Sequence, residues 1–555
     1  MYSMSCFLLP ISFCHELEQI LARFWWQHSQ DRRGIHWCSW RDLCLTKDLG
    51  GLGFRDFTKF NVVLLAKQGW RILQNPTSLV ARLLRARYFP EGTFMKARLG
   101  TTPSLTWKSI WSARGLLEKG LRWQVGSGGS ISIWNDFWLP AQEPKLVSTA
   151  ETAGLTHVSD LIEPEARVWK EELILSVFNT TDAEDILSIP IANQVTSDRQ
   201  VWCEEQTGIY TVKSGYKKLI PAVHMRNEDK EVLRKLWKSK CPSKVNIQCW
   251  KFIKNFVPTK ANLCHKRVTN NVVCARCNLE PEDSIHVIRN CWFAKEVWKG
   301  MNFQTTYPIP TPFLHDLPAW LNSLLDHFGT TNYEGILFTI WALWHARNKF
   351  VFENITQKPE DVITWVKSYL LELGIISARM QHRQSVDMKP WSPPPPNSVK
   401  LNFDASFKTS DRVACLGLVI RDEEGFILGA QCLLLNHVSS NFAAEAWAAK
   451  KGIELAIDLR LRNLVIEGDS LTVIKKLRSK GPDSSNISVI MADAKQLLGC
   501  LDSYQISFIR RGGNRVAHEL ARERLSIAVD TTWVEEALDR IEALAAEDRR
   551  CAEPP

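Results

Sequence analysis

From Val399 onward, the spacing of apolar and polar positions changes period several times. Residues 399–407 alternate apolar with polar, the two-residue period of a half-buried strand. Val413–Asp422 and Phe426–Leu435 are apolar runs joined by Glu423-Glu424-Gly425, a hairpin signal. The period then lengthens to that of a helix from Ala443 through Ile453, Leu455, Ala456 and Ile457. A strand is expected over 463–469, a short helix through Leu471, Val473, Ile474 and Leu477, and a longer helix near Ser485–Leu501. A fifth strand, Tyr504–Arg511, leads to a last helix from about Asn514. The order β-β-β-α-β-α-α-β-α predicts an α/β domain with a mixed five-stranded sheet and flanking helices.

Upstream the pattern is helical and less regular. The apolar run Ile336–Trp344 is too short to span a bilayer and reads as a buried helix. Lys367–Arg383 also reads as helix, and Trp391-Ser392-Pro393-Pro394-Pro395-Pro396-Asn397-Ser398 as a semi-rigid tether. Tryptophans crowd the first third: Trp25, Trp26, Trp37, Trp40, Trp70, Trp107, Trp111, Trp123, Trp134 and Trp138. Exposed, they would stack on bases; core packing is the commoner use and is expected here. The predicted organisation is multi-domain. It comprises a Trp-rich region at 1–145, a zinc module at 200–300, a helical connector at 301–390, a linker at 391–398, the α/β domain at 399–526 and a charged tail at 527–555.

With 555 residues, 45% of them hydrophobic, the chain has material for several cores. A net charge of +9 suits a polyanionic partner without demanding one. Fifteen cysteines show no secretory framework, which points to a reducing compartment, nucleus or cytoplasm. The opening apolar stretch, Cys6 to Ile11, lacks a preceding basic region, so neither a signal peptide nor a membrane partner is expected.

Three acids change the picture of the last third. Asp404 lies on the first strand, Glu445 on the first helix and Asp469 at the end of the fourth strand. Singly, an Asp before Ser reads as a turn or cap and a helical Glu as a solvated face. Together, on these elements, they can converge, and convergent carboxylates repel unless cations lie between them. Mg²⁺ is the usual occupant, and two such ions can flank the attacking and leaving oxygens of a phosphodiester.

The segment resembles the type 1 ribonuclease H domain of retroelements. The matching residues are Asn402-Phe403-Asp404-Ala405-Ser406, Gly417 with Ile420-Arg421-Asp422 and Gly425, Ala444-Glu445-Ala446, Glu467-Gly468-Asp469-Ser470, and Asn514 through Ala521. The resemblance implies hydrolysis of the RNA strand of an RNA–DNA hybrid, with Asp404, Glu445 and Asp469 holding Mg²⁺ (or Mn²⁺). Asn402, Ser406, Ser470 and Asn514 are the polar candidates beside the metals, and Arg510, Arg511 and Arg515 the candidates for phosphates. One position departs from the family: His518 stands where a fourth Asp is usual. Imidazole suits softer ions than Mg²⁺. Two readings stay open: His518 ligates or bridges through water in a weakened enzyme, or the site has decayed and a nucleic-acid-binding fold remains.

A second centre is written in Cys274, Cys277, His286 and Cys291, the spacing C-x2-C-x8-H-x4-C. Thiolate and imidazole ligands so spaced make a closed, structural zinc site. Leu236-Trp237, Cys241-Pro242-Ser243-Lys244-Val245, Trp250, Pro258-Thr259, Leu263, Trp298 and the upstream run Gly208 to Tyr216 resemble the zinc-binding module that follows non-LTR reverse transcriptases. In the first third, Arg23-Phe24-Trp25-Trp26, Gly50 to Asp56 and Ile133 to Pro140 resemble the region downstream of the polymerase in plant LINE-type elements. The resemblance as a whole implies part of a retroelement polyprotein, with a reverse transcriptase as a partner supplied in trans.

Overall fold

The computed structural model describes residues 2–27, 34–141, 143–220, 225–303, 316–385, 390–481, 483–523 and 530–552. The chain forms two compact units, Met1–Val62 with Tyr216–Arg383, and Val63–Gly215 with Gln384–Pro555. Both units are discontinuous in sequence, an arrangement that a linear reading of the domains did not anticipate.

In the first unit one apolar core runs from Trp26 and Leu43 through Val232–Met301 to Val366, so the zinc-module residues and the connector share it. The helix Tyr333–Glu353 carries the run Ile336–Trp344 into that core, as its composition predicted. No described helix is long and apolar enough to cross a membrane.

In the second unit, the strands Leu121–Gln124 and Arg199–Trp202 pair antiparallel. Val125, Ile131, Trp138, Leu161, Phe178 and Ile186 form a core beside them. Of the tryptophans in the first third, Trp26, Trp70, Trp107, Trp134 and Trp138 are buried, so packing is their main use.

The α/β domain carries the site. Its elements are β1 (Val399–Lys408), β2 (Val413–Arg421), β3 (Ile427–Leu435), α1 (Asn441–Asp458), β4 (Asn463–Gly468), α2 (Leu471–Arg478), α3 (Ser488–Leu498), β5 (Ser503–Phe508), α4 (Arg515–Arg522), β6 (Thr531–Val534) and α5 (Asp539–Ala552). The sheet order is β5-β4-β1-β2-β3-β6, with β1, β4 and β5 parallel and the rest antiparallel. The β2–β3 turn relies on Gly425 at φ +85°, a conformation other residues rarely adopt, and Asp422 Oδ1 accepts from the Glu424 and Phe426 amides.

The sheet has six strands where the sequence predicted five. The sixth, Thr531–Val534, lies in the stretch read as a charged tail and pairs with β3 from Gly429↔Val534 to Cys432↔Thr531. Four residues are too few to show a period on their own. The expected boundary at 526 lies outside the described residues.

The segment read as a tether also begins inside the fold. Trp391 is 1% exposed and donates to Asn402 Oδ1, while the Arg421 guanidinium lies 3.9 Å from its ring centroid. Arg421, itself buried, pairs with Asp548 of α5 at 2.9 Å.

Alternation along β1 sorts its side chains. Leu401, Phe403 and Ala405 enter the core beneath α1, α2 and α3. Asn402 and Asp404 therefore face the other side, where α4 and α5 cover Cys415, Val419, Ala430 and Cys432.

Candidate metal centres

The last rung of the parallel β1–β4 pair is Phe403↔Gly468. Asp404 and Asp469 are the next residues on each strand, so the topology brings them together. Glu445 arrives from α1, whose start is set by Ser440: its Oγ accepts from the Ala443 amide at 3.2 Å. The small residues Ala443, Ala444, Ala446 and Ala448 let α1 lie close to the sheet. Carboxylate oxygens of the three acids lie within 4.8 Å of one another.

Their electrostatics ask for a cation. Burial and the Asp404 and Asp469 charges push the Glu445 carboxyl up to about 9. Burial and Asp404 push Asp469 up to about 6. Glu445 Oε2 is buried with no hydrogen-bond partner. Three crowded acids with an orphaned oxygen fit a hard divalent cation, which would restore the ionised forms.

His518 enters on α4. Its Nδ1 lies 2.5 Å from Asp404 Oδ2, and its Nε2 lies 2.6 Å from Arg511 Nη2. A guanidinium only donates, so Nε2 accepts and the proton sits on Nδ1, given to Asp404. This close approach depends on Gly417, the residue opposite Asp404 on β2. A Cβ there would lie 2.3 Å from the Ala517 carbonyl oxygen and 2.5 Å from the Ala521 nitrogen.

The remaining expected residues divide. Ser406 and Arg511 line the open cavity of about 530 Å³ around the acids. Ser470 follows Asp469 at the start of α2 and is half-buried. Arg510 is exposed, and exposed Arg515 pairs with Glu547 at 3.0 Å. Asn402 and Asn514 are placed elsewhere than expected, both wholly buried. Asn402 accepts from Trp391 and Arg421, and Asn514 donates to the Phe403 carbonyl at 2.9 Å. Neither can reach a phosphate; Asn514 ties α4 to β1. Asn441 and Arg522, which the sequence reading missed, also line the cavity. Arg522 stands four residues after His518, a helical spacing that puts both on one face and was legible in the sequence.

In the first unit, ligand atoms of Cys274, Cys277, His286 and Cys291 also lie within 4.8 Å of one another. Cys277 Sγ is 3.4 Å from His286 Nε2, and Glu280 Oε2 sits 2.9 Å from His286 Nδ1, fixing the ring as an outer carboxylate does in zinc sites. The thiols compete for protons. The hydrogen bond with Cys291 pulls Cys274 down to about 3 and pushes Cys291 up. Burial alone would lower His286, but Cys274 and Glu280 raise it to about 9. Three sulfurs and one nitrogen in this arrangement fit a tetrahedral Zn²⁺ that would take the place of those protons.

Known families match the regions that contain the two clusters. The family described as "zinc-binding in reverse transcriptase" matches residues 210–298, and "Reverse transcriptase-like" matches residues 402–524. A "Putative ribonuclease H protein" of Arabidopsis thaliana is 26% identical over 570 residues, covering 99% of this chain and 90% of that protein. An "Uncharacterized mitochondrial protein" of the same plant is 44% identical over 144 residues, which is 26% of this chain and 94% of that protein. Among solved structures, RNase H1 from the halophilic archaeon Halobacterium salinarum is 26% identical over 24% of this chain and 99% of its own, with a TM-score of 0.22. LC11-RNase H1 isolated from compost is 20% identical over 23% of this chain and 99% of its own, with a TM-score of 0.21. Fold and sites together define a retroelement-type protein with a reverse-transcriptase zinc-binding domain ahead of a ribonuclease H-like domain. The chain belongs to the plant retrotransposon polyprotein family that carries these two domains.

Proposed function

We propose that this chain binds RNA–DNA hybrids and hydrolyses their RNA strand at Asp404, Glu445 and Asp469. The observation that carries this reading is the convergence of the three acids, with Glu445 and Asp469 held above their ordinary pKa values for want of a counter-charge. The three would hold two divalent cations, Mg²⁺ or Mn²⁺, which when bound supply a Lewis-acid clamp on the attacking and leaving oxygens. The chain's own part is positional. Two strands and one helix aim the carboxylates at one point. His518 Nδ1–H holds the Asp404 carboxylate, and Arg511 holds the His518 tautomer. Arg511, Arg522 and Ser406 at the cavity rim are placed for phosphate and sugar oxygens, with selectivity for hybrid coming from 2′-hydroxyl contacts. In this reading the protein is the ribonuclease end of a LINE-type polyprotein, working with a reverse transcriptase supplied in trans, and zinc at Cys274, Cys277, His286 and Cys291 is structural.

A second reading is a binding remnant without nuclease activity. The observation that favours it is the Asp404–His518 hydrogen bond, which engages an oxygen that a cation would otherwise use. Cleavage of an end-labelled hybrid by wild type and Asp404→Asn, in Mg²⁺ and separately in Mn²⁺, decides between them. The nuclease reading expects cleavage that disappears in Asp404→Asn. No cleavage by wild type in either metal, with hybrid binding retained, selects the remnant.

A further inference from the structure

The first turn of α1 separates two cavities. Asn441 and Glu445 line the carboxylate pocket. Ser439 and Ser440 line a second cavity of about 330 Å³, whose other walls include Arg122, Trp123, Trp138 and Asn486. Ser440 and Asn441 are consecutive, so the two cavities lie one residue, ~3.8 Å between Cα atoms, apart along the chain.

The second cavity holds a cation without an acid. Arg122 projects from the strand Leu121–Gln124 and donates to Asn486 Oδ1 at 3.1 Å and to the Leu139 carbonyl at 3.5 Å, both neutral acceptors. Among the described residues, no Asp or Glu lines the cavity. Burial pulls the half-buried guanidinium below its ordinary pKa, and Cys203 on the cavity wall opposes that shift. Ser439 and Ser440 add the N-terminal end of an 18-residue helix, whose dipole also favours an anion. The walls are fixed to each other. Gln124 Nε2 donates to the Ser485 carbonyl at 3.0 Å and to Ser488 Oγ at 2.9 Å, and Arg199 donates to Ser488 Oγ at 2.8 Å. These bonds hold the strand that carries Arg122 against the segment that carries Asn486.

We propose that this cavity is a phosphate subsite for the nucleic-acid strand seated on the carboxylates, with Arg122 as the phosphate ligand and half-buried Trp123 as the surface for the adjoining nucleoside. The inference rests on the nucleic-acid reading above and extends it: the region before Gly215 becomes part of the substrate surface of the ribonuclease H-like domain. A strand fits better than a free anion because the cavity adjoins the acids across a single turn of helix. Arg is suited to the task because its planar fork binds phosphate in two places.

The test uses the full chain carrying Asp404→Asn, so that the ligand stays intact. Affinity for a long and a short RNA–DNA hybrid is measured by fluorescence anisotropy across a salt series, with Arg122 kept, changed to Ala or changed to Lys. Losing one phosphate contact should weaken binding of the long hybrid about three- to tenfold and lower the slope of log affinity against log salt by about one. Arg122→Lys should keep the slope and lose only part of the affinity. The short hybrid, reaching only the carboxylate pocket, should not distinguish the three. Unchanged affinity and slope in Arg122→Ala overturn the subsite while leaving the nucleic-acid reading intact. So does an affinity loss with an unchanged slope, or one that is equal for both hybrids, since either marks a structural effect. Failure of the Arg122 chain to bind either hybrid overturns both.

Discussion

Gly417→Ala adds one methyl group and should disable the site from behind. The new Cβ would lie 2.3 Å from the Ala517 carbonyl oxygen, 2.5 Å from the Ala521 nitrogen and 3.1 Å from the Ala521 Cα. All three are backbone atoms of α4 and cannot swing aside as a side chain does. Ordinary contact begins near 3.4 Å, so α4 must retreat by about 1 Å. Overpacking of this kind costs about 1–3 kcal/mol. For a unit of this size, each kcal/mol lowers Tm by about 2–4 °C. The same retreat carries His518, next to Ala517, away from Asp404. Their 2.5 Å contact would open to roughly 3.5 Å, beyond hydrogen bonding. A displacement of that size at a positioned catalytic group costs about a hundredfold in rate. The assay is a thermal melt of the full chain beside initial rates of hybrid cleavage, with Asp404→Asn as the floor. A Tm unchanged from wild type together with undiminished cleavage would refute the reasoning, because the helix would then have tolerated the methyl without moving.

Three further outcomes are expected. His518→Asp trades the hydrogen bond to Asp404 for a carboxylate at the cation site, and where the added charge outweighs the lost bond it should raise Mg²⁺-dependent cleavage about tenfold, ~1.4 kcal/mol of transition-state stabilisation; a lower rate than wild type at matched Mg²⁺ would show the hydrogen bond to be worth more than the charge. The purified chain should hold one Zn²⁺ by metal analysis, and Cys277→Ser should lose it and melt earlier; full zinc occupancy in that variant would remove Cys277 from the ligand set. Asp182, wholly buried, is pushed up by burial but pulled further down by hydrogen bonds from Thr149 and Ser148, leaving its pKa below the ordinary value. A depressed folded-state pKa stabilises the fold above the unfolded Asp value of about 3.9, and that stability fades as pH falls through the folded value. Wild type should therefore lose more Tm between neutral pH and acid than Asp182→Asn does; parallel losses would place the acid sensitivity elsewhere.

Much of the candidate chemistry was legible in the chain. The four zinc-type ligands are close in sequence, so their spacing alone implied that they could meet. The three acids are farther apart, but each sits at a place set by a local period: mid-strand, first turns of a helix, strand end. A parallel strand pair with a crossover helix leaves such positions little freedom, which is why the reading of Asp404, Glu445 and Asp469 as one cluster matched the geometry.

What sequence could not decide depends on contacts between residues distant in the chain. Asn402 and Asp404 share a face of β1, yet burial under Trp391, Arg421 and Asp548 removes the first from the site. Nothing local announces that Trp391 and Asp548, 157 positions apart (548 − 391), cap one strand. The sixth strand is defined by the edge of β3 that it covers, since four residues carry no period of their own. The proton on His518 is placed by two partners, Asp404 from the sheet and Arg511 from the loop before α4. The interleaving of each unit from two stretches of chain is likewise settled by which apolar surfaces fit together. Local periods fix which residues are presented and in what direction; only close packing across the fold fixes which of them meet.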